Sequence, residues 1–285
     1  MLISIGLQAQ VEVTPEDSAL VVTLLAKAKT ARGDENRMLY FGRQFIGRPY
    51  VAHTLERGDH EHLIVNLHEF DCTTFVETVA ALSLCDRHDQ RTFRDYCHWL
   101  TRLRYRDGRL TDYTSRLHYF TWWGEDNEKK GLVECINQDT KSAAFYKKLI
   151  TEKLFNETQT VSLSYMTTHP DQYKHLKAHP EYVDVIRDYE RITSGKSYRY
   201  IPKKLVGQRQ SSTLGIIEDG DILAMLTSKP GLDTSHIGIA VWQDGRLHLL
   251  NASSLHKKVV LDTQTFYNYQ QKQTSQLGIR VFRLK

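Results

Sequence analysis

The chain has 285 residues, 40% of them hydrophobic and 25% charged, with a formal net charge of +4 at pH 7. That is the balance of an ordinary soluble globular protein, long enough for one elaborated domain or two smaller ones. The charge is small and dispersed, no run of Lys or Arg makes a phosphate-binding stripe, and no apolar stretch reaches a membrane span, so neither nucleic acid nor a spanning segment is expected.

Met1 to Gln10 is apolar, then small and polar, like the tail of an export signal that lacks its basic start. Read that way, the mature chain begins near Val11 and works in the periplasm or outside the cell. Read as a packed or disordered arm, residues 1–10 leave the protein cytoplasmic. From Glu16 to Tyr40, Leu20, Val21, Leu24, Leu25 and Ala28 share one helical stripe, followed by a polar stretch and more helix. Gly47 and Pro49 punctuate a turn, and Tyr50 and Val51 open an extended piece. Leu63 to Leu67 is a short apolar run that feeds into Asp71-Cys72-Thr73-Thr74-Phe75-Val76-Glu77.

Asp71 is a good N-cap residue, and Phe75, Val76, Val79 and Ala80 recur at helical spacing. Cys72 therefore falls in the first turn of a helix, on the apolar face. There the positive end of the helix dipole favours the nucleophilic thiolate. The competing reading is a small buried hydrophobe, the commonest fate of a free cysteine.

Residues 85–200 are rich in charged and aromatic side chains and read as a mostly helical insertion, with loop signals at Asp107-Gly108, Trp123-Gly124 and His169-Pro170. Beyond Tyr200 the pattern turns to strands at Ile222–Leu226, Ser235–Trp242, Leu247–Ala252 and Ile279–Arg283, with a hairpin signal at Asp244-Gly245. The four cysteines (Cys72, Cys85, Cys97 and Cys135) form no C-x-x-C pair and are too few for a disulfide scaffold, although a Cys85–Cys97 bridge stays open. His53, His60 and His62 fit no common zinc spacing, so no metal and no cofactor is expected.

A nucleophilic cysteine needs a base and a group that orients the base. With Asp244 and Gly245 as the two turn residues, Gln243 pairs with Arg246, Trp242 with Leu247 and Ala240 with Leu249. Continued, that register puts His236, Gly238, Asn251 and Ser253 on one face. Asn251 is then the diagonal neighbour of His236, within side-chain reach, and Gly238 is expected to leave open space beside them. An imidazole held by an amide oxygen is the orienting arrangement of Cys-His-Asn enzymes.

The ordered segments Ile46-Gly47-Arg48-Pro49-Tyr50-Val51, Asp71-Cys72-Thr73-Thr74-Phe75-Val76, Ser235-His236-Ile237-Gly238-Ile239 and Leu249-Leu250-Asn251-Ala252-Ser253 resemble the motifs of NlpC-type papain-like cell-wall peptidases. A wider set is similar to one branch, the N-acetylmuramoyl-L-alanine amidase-like family. It adds Pro49 to Glu56, Asn66 to Val76, Ser115 to Tyr119 and Gly231 to His236, and the likeness runs from about Phe41 to the C-terminus. The resemblance implies an α+β fold: a nucleophile helix packed on a small antiparallel sheet, in a single catalytic domain spanning residues 11–285 with the helical insertion within it. It also implies Cys72 as nucleophile, His236 as base and then acid, Asn251 as orienter and Tyr50 beside the thiol. Relatives often carry histidine where this chain has Asn251, and serine where it has Thr73.

The implied reaction is cleavage of the amide between anhydro-N-acetylmuramic acid and L-alanine in a muropeptide. Arg116, His118 and Tyr119 are candidates to clamp a substrate carboxylate, with Glu56 and Ser235, from the same segments, at the substrate site. The competing role for Arg116 is a structural ion pair, and Trp122 and Trp123 either stack on a sugar or pack inside. Three alternatives remain: a stem-peptide endopeptidase cutting D-glutamyl to diamino acid bonds, an acyl transferase, and a non-catalytic glycan-binding relative. Oligomeric state is not legible.

Overall fold

The computed structural model describes residues 11–31, 35–137, 155–206 and 216–285. The chain divides into two compact units, Met1–Leu117 with Ala252–Val260, and His118–Asn251 with Leu261–Lys285. The expected export signal lies outside the described residues.

In the first unit, β1 (Val11–Val13) pairs in parallel with β2 (Leu63–Val65). The helix and further helix expected between Glu16 and Tyr40 are α1 (Pro15–Thr30) and α2 (Arg37–Arg43). Thr14 caps α1 by accepting from the Asp17 N–H, while Asp17, itself buried, accepts from the Leu67 N–H at 3.1 Å. Helix α3 (Cys72–Arg87) buries Phe75, Val76, Val79 and Ala80 completely, each large side chain contributing about 1.5–3 kcal/mol by leaving water. Helix α4 (Phe93–Arg104) packs on α3. Its Arg104 donates to Glu77 on α3 at 2.7 Å and to the Ile64 carbonyl on β2 at 2.7 Å, all three groups buried. The pair ties α4 to α3 within the first unit, which runs on to Leu117.

The second unit is built on an antiparallel sheet, running β4 (Glu157–Thr160), β5 (Ser197–Pro202), β10 (Gln276–Leu284), β6 (Ile222–Thr227), β7 (Thr234–Gln243) and β8 (Arg246–Ser253), the short β9 (Lys258–Leu261) following β8 in the chain. A short β3 (Val133–Cys135) also pairs with β10. Phe155, Ile201, Leu223, Met225, Leu249 and Ile279 are among the side chains of its core. The sheet is therefore larger than expected, and the stretch read as helical supplies three of its strands. Two of them, Val-Glu-Cys and Glu-Thr-Gln-Thr, are too short to show a two-residue period. The third did carry one, since Tyr198 and Tyr200 are buried while Ser197 and Arg199 are exposed.

Helix α5 (Phe120–Lys129) runs through Trp123-Gly124, where the sequence suggested a loop. A Cβ at Gly124 would lie 2.6 Å from the Phe282 ring, so the glycine admits an aromatic contact instead of breaking the helix. Three short helical turns between Tyr165 and Ala178, then helix α6 (Pro180–Thr193) and, after the hairpin, helix α7 (Phe266–Gln271) complete the described part of the unit.

Candidate active site

Cys72 is the first residue of α3, and Asp71 before it is the N-cap. The Asp71 carboxylate accepts from the Thr74 N–H at 2.8 Å, and the Thr74 hydroxyl accepts from the Asp71 N–H at 3.0 Å. This reciprocal box fixes the first turn. The substitution of Thr73 for serine leaves it untouched. Cys72 is partly exposed, whereas Cys85, Cys97 and Cys135 are buried, and none of the four is in a disulfide.

Tyr50 arrives from the Gly47–Pro49 turn, where Gly47 has φ 92°. The strand is held on both sides: the Phe70 N–H donates to the Pro49 carbonyl, the Val51 N–H to the Phe70 carbonyl, and the Tyr50 N–H to the Lys257 carbonyl. This makes Tyr50 the neighbour of the Asp71-Cys72 turn. Burial, with the Cys72 thiolate and Asp71 carboxylate nearby, pushes its phenol up to about 12. Tyr50 is thus a neutral hydrogen-bond donor at any physiological pH.

In the second unit the hairpin has the register expected from its turn: Gln243 opposite Arg246, Trp242 opposite Leu247, Ala240 opposite Leu249. Asp244 and Gly245 both take positive φ, 49° and 71°, the backbone of a tight two-residue turn. His236 Nε2 and Asn251 Oδ1 are 2.9 Å apart. Asn251 Nδ2 donates weakly to the Leu249 carbonyl at 3.4 Å, which points the amide oxygen at the ring. An amide oxygen only accepts, so His236 Nε2 carries the proton and Nδ1 is left as the basic nitrogen. Gly238 does not open space here. A Cβ there would lie 2.8 Å from a Leu249 methyl and 2.9 Å from the Asn251 Cβ, so glycine is what allows Asn251 to pack close.

The candidate substrate residues scatter. Arg116 is buried, its guanidinium donating to Glu61 at 2.9 and 2.5 Å, to Glu56 at 2.7 Å and to the Leu55 carbonyl at 3.2 Å. It acts as a brace between the 55–61 loop and the segment before Leu117, with no nitrogen directed at a substrate carboxylate. The structural reading weighed for it is the one the geometry supports. Tyr119 is buried with its hydroxyl donating to Glu190 at 2.6 Å, and Trp122 donates from its indole to Thr193 at 2.8 Å. Trp122 and Trp123 are core residues and present no face to a sugar. His118 is partly exposed. Ser235 is exposed and donates to the Met225 carbonyl at 3.3 Å. Among the described residues no group of three or more His, Cys, Asp or Glu could hold a metal ion, and no helix is long and apolar enough to cross a membrane.

A mixed α/β chain with these features is of the amidase-like class by the family model that matches it. A family model described as N-acetylmuramoyl-L-alanine amidase-like matches residues 40–279. The chain belongs to that family. Among solved structures it is similar to an N-acetylmuramoyl-L-alanine amidase from Bacteroides uniformis, with 36% identity, 87% of this chain and 97% of that one covered, and a TM-score of 0.77. It is also similar to a protein from Bacteroides fragilis described as a "putative xylanase", with 41% identity, 85% and 98% covered, and a TM-score of 0.75. A Legionella pneumophila protein at 19% identity shares the fold over 94% of both chains, with a TM-score of 0.69. No protein of curated function matches the chain.

Asp233, Gln159 and Thr74 were not singled out from the sequence. Asp233 lies within the Gly231–His236 segment, and the signal that could have exposed it is the absence of a capping side chain at Tyr119, before α5.

Proposed function

We propose that the protein hydrolyses the amide between the lactyl group of N-acetylmuramic acid and L-alanine in muropeptides, with Cys72 as nucleophile in a papain-like arrangement of the NlpC type. The observation that carries this reading is the His236–Asn251 contact, which fixes one tautomer of a strand histidine by an amide, as a cysteine hydrolase requires.

In this mechanism His236 Nδ1 takes the thiol proton as Cys72 Sγ attacks the amide carbonyl. The oxyanion is met by backbone N–H groups at the start of α3, each such donor being worth about 2.7–4 kcal/mol. His236 passes the proton to the leaving L-alanine nitrogen, and the C–N bond breaks to leave a thioester. Water, deprotonated by His236, then attacks the thioester, releasing the lactyl carboxylate and restoring the thiol. Tyr50, neutral and beside the thiol, is a donor for the carbonyl oxygen. Glycoside hydrolysis, as the xylanase label of one neighbour would have it, runs on two carboxylates flanking the bond, which is different chemistry from a thiol, an imidazole and an amide.

The test is mass spectrometry of defined muropeptides after incubation. Release of the intact stem peptide from the sugar is expected from the wild type, and none from Cys72→Ala. Cleavage retained by Cys72→Ala sinks the mechanism, and cleavage within the peptide reassigns the bond.

A further inference from the structure

His236 stands at the start of β7, and the strand is irregular there. Met225 is opposite His236 but the next residue, Leu226, is opposite Thr234, so Ser235 is an extra residue, a β-bulge. A bulge bends its strand and re-aims the adjacent side chain, so the direction of the imidazole depends on where the chain before the bulge is held.

Residue 233 holds it. Asp233 is buried, 2% exposed, and both carboxylate oxygens are engaged. Oδ1 accepts from the Thr234 N–H at 2.7 Å, and Oδ2 accepts from the Thr121 N–H at 2.6 Å. Thr121 is the second residue of α5, a helix whose own N-cap residue, Tyr119, supplies no capping side chain. Asp233 therefore does that work from 112 positions away, where a carboxylate also meets the positive end of the helix dipole. The Asp233 carbonyl accepts from the Thr227 N–H at 3.0 Å and from Gln159 Nε2 at 3.1 Å. Gln159 donates also to the Thr227 carbonyl at 3.2 Å, closing the β6–β7 connection from β4. On the far side the Thr121 hydroxyl accepts from Arg280 Nη1 at 3.1 Å.

We propose that Asp233 is a positioning residue for His236: by tying the start of β7 to the N-terminus of α5, with Gln159 closing the turn, it holds the Ser235 bulge in the one geometry that delivers the imidazole to Asn251. This rests on the reading of His236 as the base. Asparagine cannot replace Asp233, since two N–H groups converge on two separate oxygens and an amide would turn an N–H toward one of them.

The test is imidazole 15N NMR of the full chain through a pH titration, with steady-state kinetics beside it. In the wild type His236 should show the Nε2–H tautomer. In Asp233→Asn the expected result is a mixed tautomer with a displaced titration, kcat lower by about tenfold or more and KM within about twofold, since the loss falls on the reacting geometry and not on substrate binding. Gln159→Met, which keeps the shape and removes both donors, should shift the same signals by less. Unchanged tautomer and titration in a folded Asp233→Asn overturn the proposal, and the same result in Gln159→Met does so if Asp233→Asn does not fold. The NMR arm needs no substrate. Shifted His236 signals with a wild type that cleaves no muropeptide would keep the strut and discard the amidase reading.

Discussion

The four thiols differ in surroundings more than in chemistry. Burial pushes the thiols of Cys85 and Cys97 up to about 12 and raises Cys135 as well, leaving all three protonated near neutral pH. Cys72 is partly exposed at a capped helix start. Iodoacetamide applied to the native protein near neutral pH should therefore label Cys72 alone, and all four residues only after denaturation. Peptide mapping that finds Cys85 or Cys97 labelled first contradicts this. The sequence put Cys72 at the head of a helix, on the face it shares with Phe75 and Val76, and the thiol is nonetheless partly exposed. A first-turn residue sits at the end of that face, where packing runs out, and periodicity alone does not show where a face ends.

At the scale of elements, the hairpin shows why part of the site was legible. Asp-Gly dictates a two-residue turn, a two-residue turn fixes the register, and the register puts His236 and Asn251 within reach. What the pattern could not show is the crowding behind it. A Cβ on residue 238 would press on Leu249 and on Asn251 itself. Gly238→Ala is expected to cost about 1–3 kcal/mol of stability as an overpacked core and to lower kcat further by moving the amide off the imidazole. Full kcat in a destabilised variant would show that Asn251 does not move.

Arg116 teaches the converse. The sequence placed it in a family segment, but whether its guanidinium meets substrate or protein depends on Glu56 and Glu61, some 60 positions earlier, and no local pattern reports that. Removing a buried, paired cation leaves two carboxylates uncompensated, so Arg116→Ala should lower unfolding free energy by about 3–5 kcal/mol in a denaturant titration. The accompanying KM should stay near that of the wild type, and a large rise in KM at unchanged stability would restore Arg116 to the substrate.

For the whole molecule, the relevant groups titrate together at alkaline pH. Folding raises Tyr50 from 10.0 to about 12, and Cys85 and Cys97 from 9.0 to about 12, in each case by burial first. The folded chain thus binds these protons more tightly than the unfolded one. Their contribution is complete below about pH 9 and is lost as pH climbs toward 12. Thermal midpoints measured across that range should fall steadily. A flat profile would mean the thiols and the phenol reach water in the fold. The strand-rich C-terminal half could be read from hydrophobic pattern and the mixed α/β class from the resemblance, while the boundary after Leu117 falls inside a stretch of uniformly charged and aromatic composition that marks no break there.

The strut behind His236 has a bearing on the order of folding. Its contacts span 112 positions between Thr121 and Asp233 and 159 between Thr121 and Arg280. Contacts that close such long loops form after local helices and hairpins, because the chain entropy of closure must be met first. The cap that sets Cys72 at the head of α3 is local, made by Asp71 and Thr74, and can be in place early, but the imidazole is not aimed until α5, β4, β7 and β10 have all docked. A chain that ends before Arg280 therefore has the Cys72 thiol without an aimed imidazole, and under the proposed mechanism the onset of hydrolysis would report the completion of this fold.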